Sequence, residues 1–215
     1  STVMEAMTTP SPETENGTLS LQSEKMIRKA LEGKEAIAIG PGLSQDPETV
    51  QLVLNLIPHI TAPMVIDADG INALASNCSV LKKAKGPIII TPHPGEMGRL
   101  LGISSAAVQK DRIEIASAFS KKWDVIVVLK GAHTVIATPY GYVFLSNTGN
   151  PGMATGGTGD ALTGIIGAGL AQGMNPTDAA IWGVVLHGLA GDLASRAQGE
   201  ISLIASDLIA KIPEA

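Results

Sequence analysis

From Leu21 onward, apolar residues recur in short runs separated by longer amphipathic stretches, and their periods assign the elements. Gln22 to Glu32 follows helical spacing and leads into Ala36-Ile37-Ala38-Ile39, a buried strand that stops at Gly40-Pro41-Gly42. A helix is predicted from Pro47 to Leu56, with Asp46 as N-cap and Pro47 in its first position. A strand from Met64 to Asp67 follows, then a helix from Ile71 to Ala75 opened by Asp69-Gly70. Pro87 to Thr91 reads as a strand bounded by Gly86 and Pro92. Ser104-Ser105 cap a long amphipathic helix running to Lys122, and Val125 to Leu129 is the most continuous strand. Thr134 to Thr138 and Tyr142 to Leu145 form a hairpin across Pro139-Tyr140-Gly141. Helices over Gly159 to Gly173, Pro176 to Arg196 and Ser206 to Ile212 close the pattern.

Strands that alternate with helices need crossover connections, so the pattern predicts an α/β fold. We expect one domain over residues 1–215, a mostly parallel sheet with helices on both faces and a short antiparallel hairpin. Residues 1–20 carry no pattern and are expected to be loop. Ligands of such sheets bind at the carboxyl ends of the strands, which directs attention to the turns after Ile39, Asp67, Thr91 and Leu129.

Composition sharpens this picture. Only 3% of the 215 residues are aromatic against 45% hydrophobic, so Ala, Val, Leu and Ile must build the core. That suits parallel strands under closely packed helices better than an aromatic-rich sandwich. The net charge of −5, with no basic cluster longer than Lys82-Lys83 or Lys121-Lys122, disfavours a nucleic-acid partner. No apolar run approaches the roughly 18 residues of a membrane span, and the single Cys78 fits a reducing, cytoplasmic compartment.

The strongest chemical signal is Asn147 to Asp160, with five glycines between Gly149 and Gly159 followed at once by a helix. Glycines let successive N–H groups converge, and the helix N-terminus adds unpaired donors and a positive dipole end. Gly156, Gly157, Thr158 and Gly159 therefore form a candidate anion hole, unless the glycines serve only to pack the helix on the sheet. A carboxylate at Asp160 would repel a phosphate unless it handles a proton or a metal. The motif is not a Walker loop, because no Gly-Lys-Ser/Thr follows the glycines.

Four further groups stand at strand ends. Gly40-Pro41-Gly42 permits close approach of a ligand or is an ordinary turn. Asp67-Ala68-Asp69-Gly70-Ile71-Asn72 offers two carboxylates and an amide, with capping and turn formation as the plainer roles. Thr91-Pro92-His93-Pro94-Gly95-Glu96 fixes His93 between prolines with Glu96 three positions on, a costly arrangement for a surface loop. Lys130-Gly131-Ala132-His133-Thr134 suits an anionic ligand, or forms a surface hairpin. His187, among leucines on its helix, reads as a hydrogen-bonded core residue, and Gly164, Gly167 and Gly169 as close helix packing.

With these motifs in order, the chain resembles the ADP/ATP-dependent NAD(P)H-hydrate dehydratases of the ribokinase-like superfamily. The resemblance runs from Glu35 to the C-terminus and rests chiefly on Gly40-Pro41-Gly42-Leu43, Thr91 to Met97 and Asn150 to Asp160. It implies that Asp160 is the catalytic aspartate and touches the hydrate, with Gly42 and His93 as further hydrate contacts; as a general base Asp160 would take the proton of the ring hydroxyl. Lys130, Gly131, Ala132, His133, Thr134 and Gly159 correspond to the ADP or ATP site. Glu96 stands where the superfamily's Asn-x-x-Glu motif places a glutamate acting on Mg2+ through water, although His93 replaces the Asn. The implied reaction is ADP- or ATP-dependent dehydration of hydrated NADH or NADPH (NADHX or NADPHX). A small-molecule kinase of the hydroxyethylthiazole type and a non-catalytic nucleotide binder are the alternatives. The resemblance also implies a homo-oligomer, a tetramer in the family, and an NAD(P)H-hydrate epimerase as a partner. It further implies that at least a first βαβ unit, about 30 residues or more, precedes this part of the fold.

Overall fold

The computed structural model describes residues 6–215. Its elements run in the order α1 (Glu24–Leu31), β1 (Ile37–Ile39), α2 (Pro47–Leu56), β2 (Met64–Ile66), α3 (Ala68–Ser76) and β3 (Ile88–Ile90). There follow α4 (Pro94–Leu101), α5 (Ser105–Lys110), α6 (Arg112–Trp123), β4 (Ile126–Leu129), β5 (Val135–Ala137) and β6 (Val143–Leu145). Three helices end the chain: α7 (Thr158–Ala171), α8 (Pro176–Gln198) and α9 (Ala205–Lys211).

The six strands form one sheet in sequence order, β1-β2-β3-β4-β5-β6. β1 to β4 are parallel, and β4–β5 and β5–β6 are antiparallel. The antiparallel part is thus one pairing larger than the expected hairpin, because the turn Lys130 to Thr134 reverses the chain directly after β4.

Every residue of β2, β3, β4 and β5 is buried, and alternation sends successive side chains into different cores. Met64, Ile66, Ile88, Ile90, Val127 and Leu129 pack with Leu52, Leu74, Met97 and Phe119 from α2, α3, α4 and α6. Val65, Ile89, Ile126 and Val128 meet Leu162, Ile166, Ala180 and Val184 from α7 and α8. The edge strands differ: β1 is buried only at Ile37, and in β6 Val143, Phe144 and Leu145 are all exposed.

Two helical expectations change. The helix expected from Ser104 to Lys122 is two helices, because Asp111 leaves the helical region (φ −147°, ψ 62°) and its carboxylate caps the next helix at the amide of Glu114. Pro94–Leu101, read only as a strand-to-helix junction, is a full helix ended by Gly102 in the left-handed conformation.

Of the expected N-terminal loop, Ser1–Glu5 lie outside the described residues, and no helix or extended strand occurs from residue 6 to Ser20. The segment is nonetheless pinned to the start of α2. Asn16 donates to Asp46 (2.9 Å), Thr49 donates to the carbonyl of Leu19 (2.7 Å), and the amide of Leu21 donates to Glu48 (3.0 Å). The bonds from Asn16 and from the amide of Glu48 hold the Asp46 carboxyl below its usual range.

Candidate active site

The ends of β1 to β4 and the first turn of α7 meet around Asp67, which is 1% exposed. Its Oδ1 accepts from Lys130 Nζ at 2.7 Å and its Oδ2 from Thr163 Oγ1 at 2.8 Å, so one carboxylate joins β2, β4 and α7. Lys130 Nζ also stands 3.9 Å from Glu96 Oε2 and 3.3 Å from where a Cβ on Gly159 would lie. The ammonium is thus presented at the glycine tip of α7, between two buried carboxylates. A buried carboxylate without such partners would be costly, and here both oxygens are satisfied.

Backbone geometry makes room for this. Gly40 has φ +136°, and a Cβ there would fall 1.7 Å from the carbonyl oxygen of Asp67. The turn that follows is held by the Leu43 amide on the Gly40 carbonyl (3.1 Å) and by the Ser44 amide on Asp69 Oδ2 (2.9 Å). Asp69 therefore organises the Gly40–Ser44 turn, and Gly42 lies on it, exposed.

His93 opens α4 in a reciprocal cap. Its Nδ1 accepts from the amides of Gly95 (2.9 Å) and Glu96 (3.3 Å), while Glu96 Oε2 accepts from the amide of His93 (2.8 Å). A Cβ on Gly95 would stand 2.7 Å from the His93 ring, so glycine lets the imidazole fold back over the turn. The ring remains about half exposed, with Nε2 3.5 Å from Glu96 Oε1.

The turn Lys130 to Thr134 is shaped by Arg112, which donates to the carbonyls of Ala132 and Leu129, the latter at 2.8 Å. Burial pushes the Arg112 guanidinium below its usual value. Thr134 Oγ1 donates back to the carbonyl of Gly131 (3.1 Å), and Ala132 and His133 are exposed at the tip.

The glycine-rich loop lies along α8. Asp192 accepts from the amide of Gly149 and from Asn150 Nδ2, both at 3.0 Å, and His187 Nε2 lies 2.8 Å from the Thr158 carbonyl. Gly188 and Gly191 let Thr148 and Met153 approach the helix closely. Burial is the main cause that lowers the His187 pKa, the Thr158 bond opposes it, and the nearby Lys130 charge adds to it. Within the tip, Gly157 is left-handed (φ 87°), and Thr158 Oγ1 is occupied by the carbonyls of Met153 (2.8 Å) and Thr155 (2.9 Å). The backbone amides of Gly156, Gly157 and Gly159 stand at the N-terminus of α7, where helix amides lack intrahelical partners.

Asp160 points from this turn into a groove of about 410 Å³ that it lines with Thr163, Gly164, Gly40, Pro41 and Leu43. It is exposed and has no hydrogen bond or ion pair among the described residues. Gly164, expected in close helix packing, faces this open space, whereas Gly169 does pack against Met174 and Trp182.

The structure therefore gathers Asp67, Glu96 and Gly159 around the Lys130 ammonium, sets Asp160 and Gly40 on one groove, and leaves Gly131 to Thr134 on an exposed turn. Arg112, Thr163 and Asp192 are contributors that the sequence motifs did not single out, and Asp67, singled out only within the Asp67 to Asn72 group, has its partners in Lys130 and Thr163. For Asp67 the available signal was its place at the end of a buried parallel strand.

Carboxylates are dispersed here: among the described residues no three His, Cys, Asp or Glu side chains converge on a metal. Glu96, 3.9 Å from Lys130, keeps its Oε1 free of a short bond among the described residues. Such a donor set suits a magnesium ion carried on nucleotide phosphates with several waters.

The family model described as NAD(P)H-hydrate dehydratase matches residues 1–214. The bifunctional NAD(P)H-hydrate repair enzyme Nnr of Moorella thermoacetica is 51% identical over 210 residues, which are 97% of this chain and 39% of that protein. The ADP-dependent (S)-NAD(P)H-hydrate dehydratase of Bacillus subtilis is 40% identical over 178 residues, 83% of this chain and 62% of that protein. The chain thus spans about two fifths of the first of these relatives and a little under two thirds of the second. Among solved structures, the ADP/ATP-dependent NAD(P)H-hydrate dehydratase from Bacillus subtilis, co-crystallized with ATP/Mg2+, aligns with TM-score 0.75 and 36% identity over 87% of this chain and 67% of that one. A hydroxyethylthiazole kinase protein from Pyrococcus horikoshii aligns with TM-score 0.72 at 17% identity, over 89% of this chain and 76% of that one, a likeness of fold alone.

Proposed function

The chain belongs to the NAD(P)H-hydrate dehydratase family, with a ribokinase-like fold, and from that premise we propose that it carries the site for ADP- or ATP-dependent dehydration of hydrated NADH or NADPH. The observation that carries this reading is the meeting of Lys130, held by Asp67, with the glycine tip of α7 that bears Asp160.

Hydroxide leaves a carbon centre poorly, and phosphorylation turns it into a good leaving group. Asp160 takes the proton of the ring hydroxyl as its oxygen attacks the terminal phosphorus of the nucleotide. Its exposure and its lack of partners among the described residues leave it free to do so. The amides at Gly156, Gly157 and Gly159 and the Lys130 ammonium stabilise charge on the transferring group. AMP leaves when ADP is the donor, or ADP when ATP is. The ring nitrogen lone pair then expels phosphate, and loss of a proton from the adjacent carbon restores the dihydropyridine. Magnesium, held by the nucleotide phosphates and through water by Glu96, would neutralise phosphate charge when bound. Gly42 and His93 contact the hydrate, and the turn Gly131 to Thr134 contacts the nucleotide. A cytoplasmic location, a symmetric oligomer and an NAD(P)H-hydrate epimerase as partner belong to the same proposal. Among the described residues no helix is long and apolar enough to cross a membrane.

The test is incubation with hydrated NADH, ADP and magnesium, following the return of NADH absorbance together with phosphate release. Asp160→Asn is expected to bind ADP normally and to lose about 10²–10⁴-fold in turnover. Near wild-type turnover by this variant removes Asp160 from the chemistry. A stable phosphorylated product without NADH points to a kinase, and ADP binding without any reaction to a nucleotide binder.

A further inference from the structure

We propose that Asp67 is a positioning residue that acts through Lys130. Its carboxylate holds the ammonium against the first turn of α7, so that the cation and the α7 anion hole engage the same nucleotide phosphates. The inference rests on the nucleotide role given above to Lys130.

A lysine side chain is long and flexible. Four methylenes give the ammonium many rotamers, and a flexible cation on an exposed turn would spend little time at any one phosphate position. Lys130 is instead only 20% exposed, and Asp67 Oδ1 fixes its Nζ at 2.7 Å. Asp67 cannot yield, because its second oxygen is taken by Thr163 at 2.8 Å and its backbone carries β-sheet and turn bonds, with the amide on the Ile39 carbonyl at 3.0 Å. Thr163 stands one turn beyond Asp160 on α7. Thr163 thereby holds the carboxylate in place, and the carboxylate holds the ammonium beside the helix turn that presents the glycine amides. Without the Asp67 charge, the nearest carboxylate to Lys130 is Glu96 at 3.9 Å, on α4. The ammonium would swing towards it and away from Gly159.

Calorimetric titration with ADP and magnesium tests this on the wild type, Asp67→Asn, Lys130→Met and the double variant, each first shown to melt cooperatively. Asp67→Asn is expected to weaken ADP on the order of tenfold, and to change it less than about twofold once Lys130 is methionine. Equal losses in both backgrounds overturn the inference, since Asp67 would then act without the lysine. In steady state the variant is expected to raise the ADP KM more than it lowers kcat. A collapse of kcat at unchanged ADP affinity also overturns it. Thr163→Val supplies the same cycle should Asp67→Asn fail to fold: a loss of about threefold that vanishes with Lys130→Met is expected. An unchanged affinity, or a loss that persists, counts against the proposal. Wild-type protein that binds ADP but does not dehydrate the hydrate defeats the proposed function alone, because the binding cycle still reads Asp67. Failure to bind ADP defeats both.

Discussion

Asp67 and Asp160 stand at the same end of one sheet in opposite settings. Asp67 is 1% exposed with both oxygens bonded, to Lys130 and Thr163. Asp160 is exposed, free of side-chain bonds among the described residues, and faces a groove. A carboxylate buried and saturated with donors holds geometry, because releasing it leaves charged and polar partners unpaired. A carboxylate on a helix tip, unencumbered, is able to take and give a proton. The site thus separates a fixed floor from an open rim, and substitutions on the two sides should fail in different ways.

The largest effect is expected at the floor. Gly40→Ala would put a methyl 1.7 Å from the Asp67 carbonyl oxygen at φ +136°, so β1 and β2 must part where the buried carboxylate begins. We expect a loss of about 4 kcal/mol or more in denaturant unfolding, or no folded protein. Gly164→Ala is the matching change on the rim: its Cβ meets nothing within 4 Å. As a glycine inside α7, its replacement should stabilise by about 0.5–1 kcal/mol. A tolerated Gly40→Ala breaks the comparison.

Next in size is the contrast between the carboxylates themselves. Asp67→Ala strands Lys130 and Thr163 and is expected to cost about 3 kcal/mol, towards the lower end for a buried pair because Lys130 keeps some solvent and a neighbour in Glu96. Asp160→Asn loses only a favourable charge at a helix N-terminus, less than about 1 kcal/mol. Chemical denaturation of both variants at pH 7 measures the difference. Comparable losses mean that Asp160 has a structural partner and that the rim is not free.

These two residues also show what a sequence makes legible. The strands were readable because β2 to β4 are buried on both faces and so spell unbroken apolar runs such as Ile88-Ile89-Ile90. The glycine tip was readable because it is continuous in the chain. Asp67 was visible only as one half of an Asp-Ala-Asp pair, for its partners lie 63 and 96 residues away and local spacing carries no trace of them. Asp192 and Arg112 escaped for the same reason, being 43 and 20 residues from the backbone groups they hold. The break at Asp111 was missed because amphipathic spacing continues through it, while a carboxylate able to cap the next helix competes with helical continuation. Gly164 was read as packing because sequence cannot separate a glycine that meets a neighbour from one that meets space.

The smallest expected effect is a pH dependence that ties floor to rim. His187 on α8 holds the carbonyl of Thr158, so its Nε2 carries the proton in the neutral ring. Burial is the chief cause lowering its pKa below the ordinary value of about 6.5, and the Lys130 ammonium of the floor acts in the same direction. A base whose folded pKa is depressed binds its proton more readily when unfolded. Its contribution to stability is therefore complete above about pH 6.5 and is lost as the pH falls through the folded value. His187→Gln keeps an amide donor but cannot titrate. The stability difference between wild type and this variant should accordingly narrow from pH 8 to pH 5, whatever the carboxylates elsewhere contribute to both. Repeating the pair in the Lys130→Met background should weaken the narrowing, because one of the causes that depress the pKa is gone. An unchanged gap across the range would mean that burial does not depress the His187 pKa, and a narrowing that is the same with Lys130→Met would mean that the α8 anchor of the glycine tip is electrically isolated from the floor.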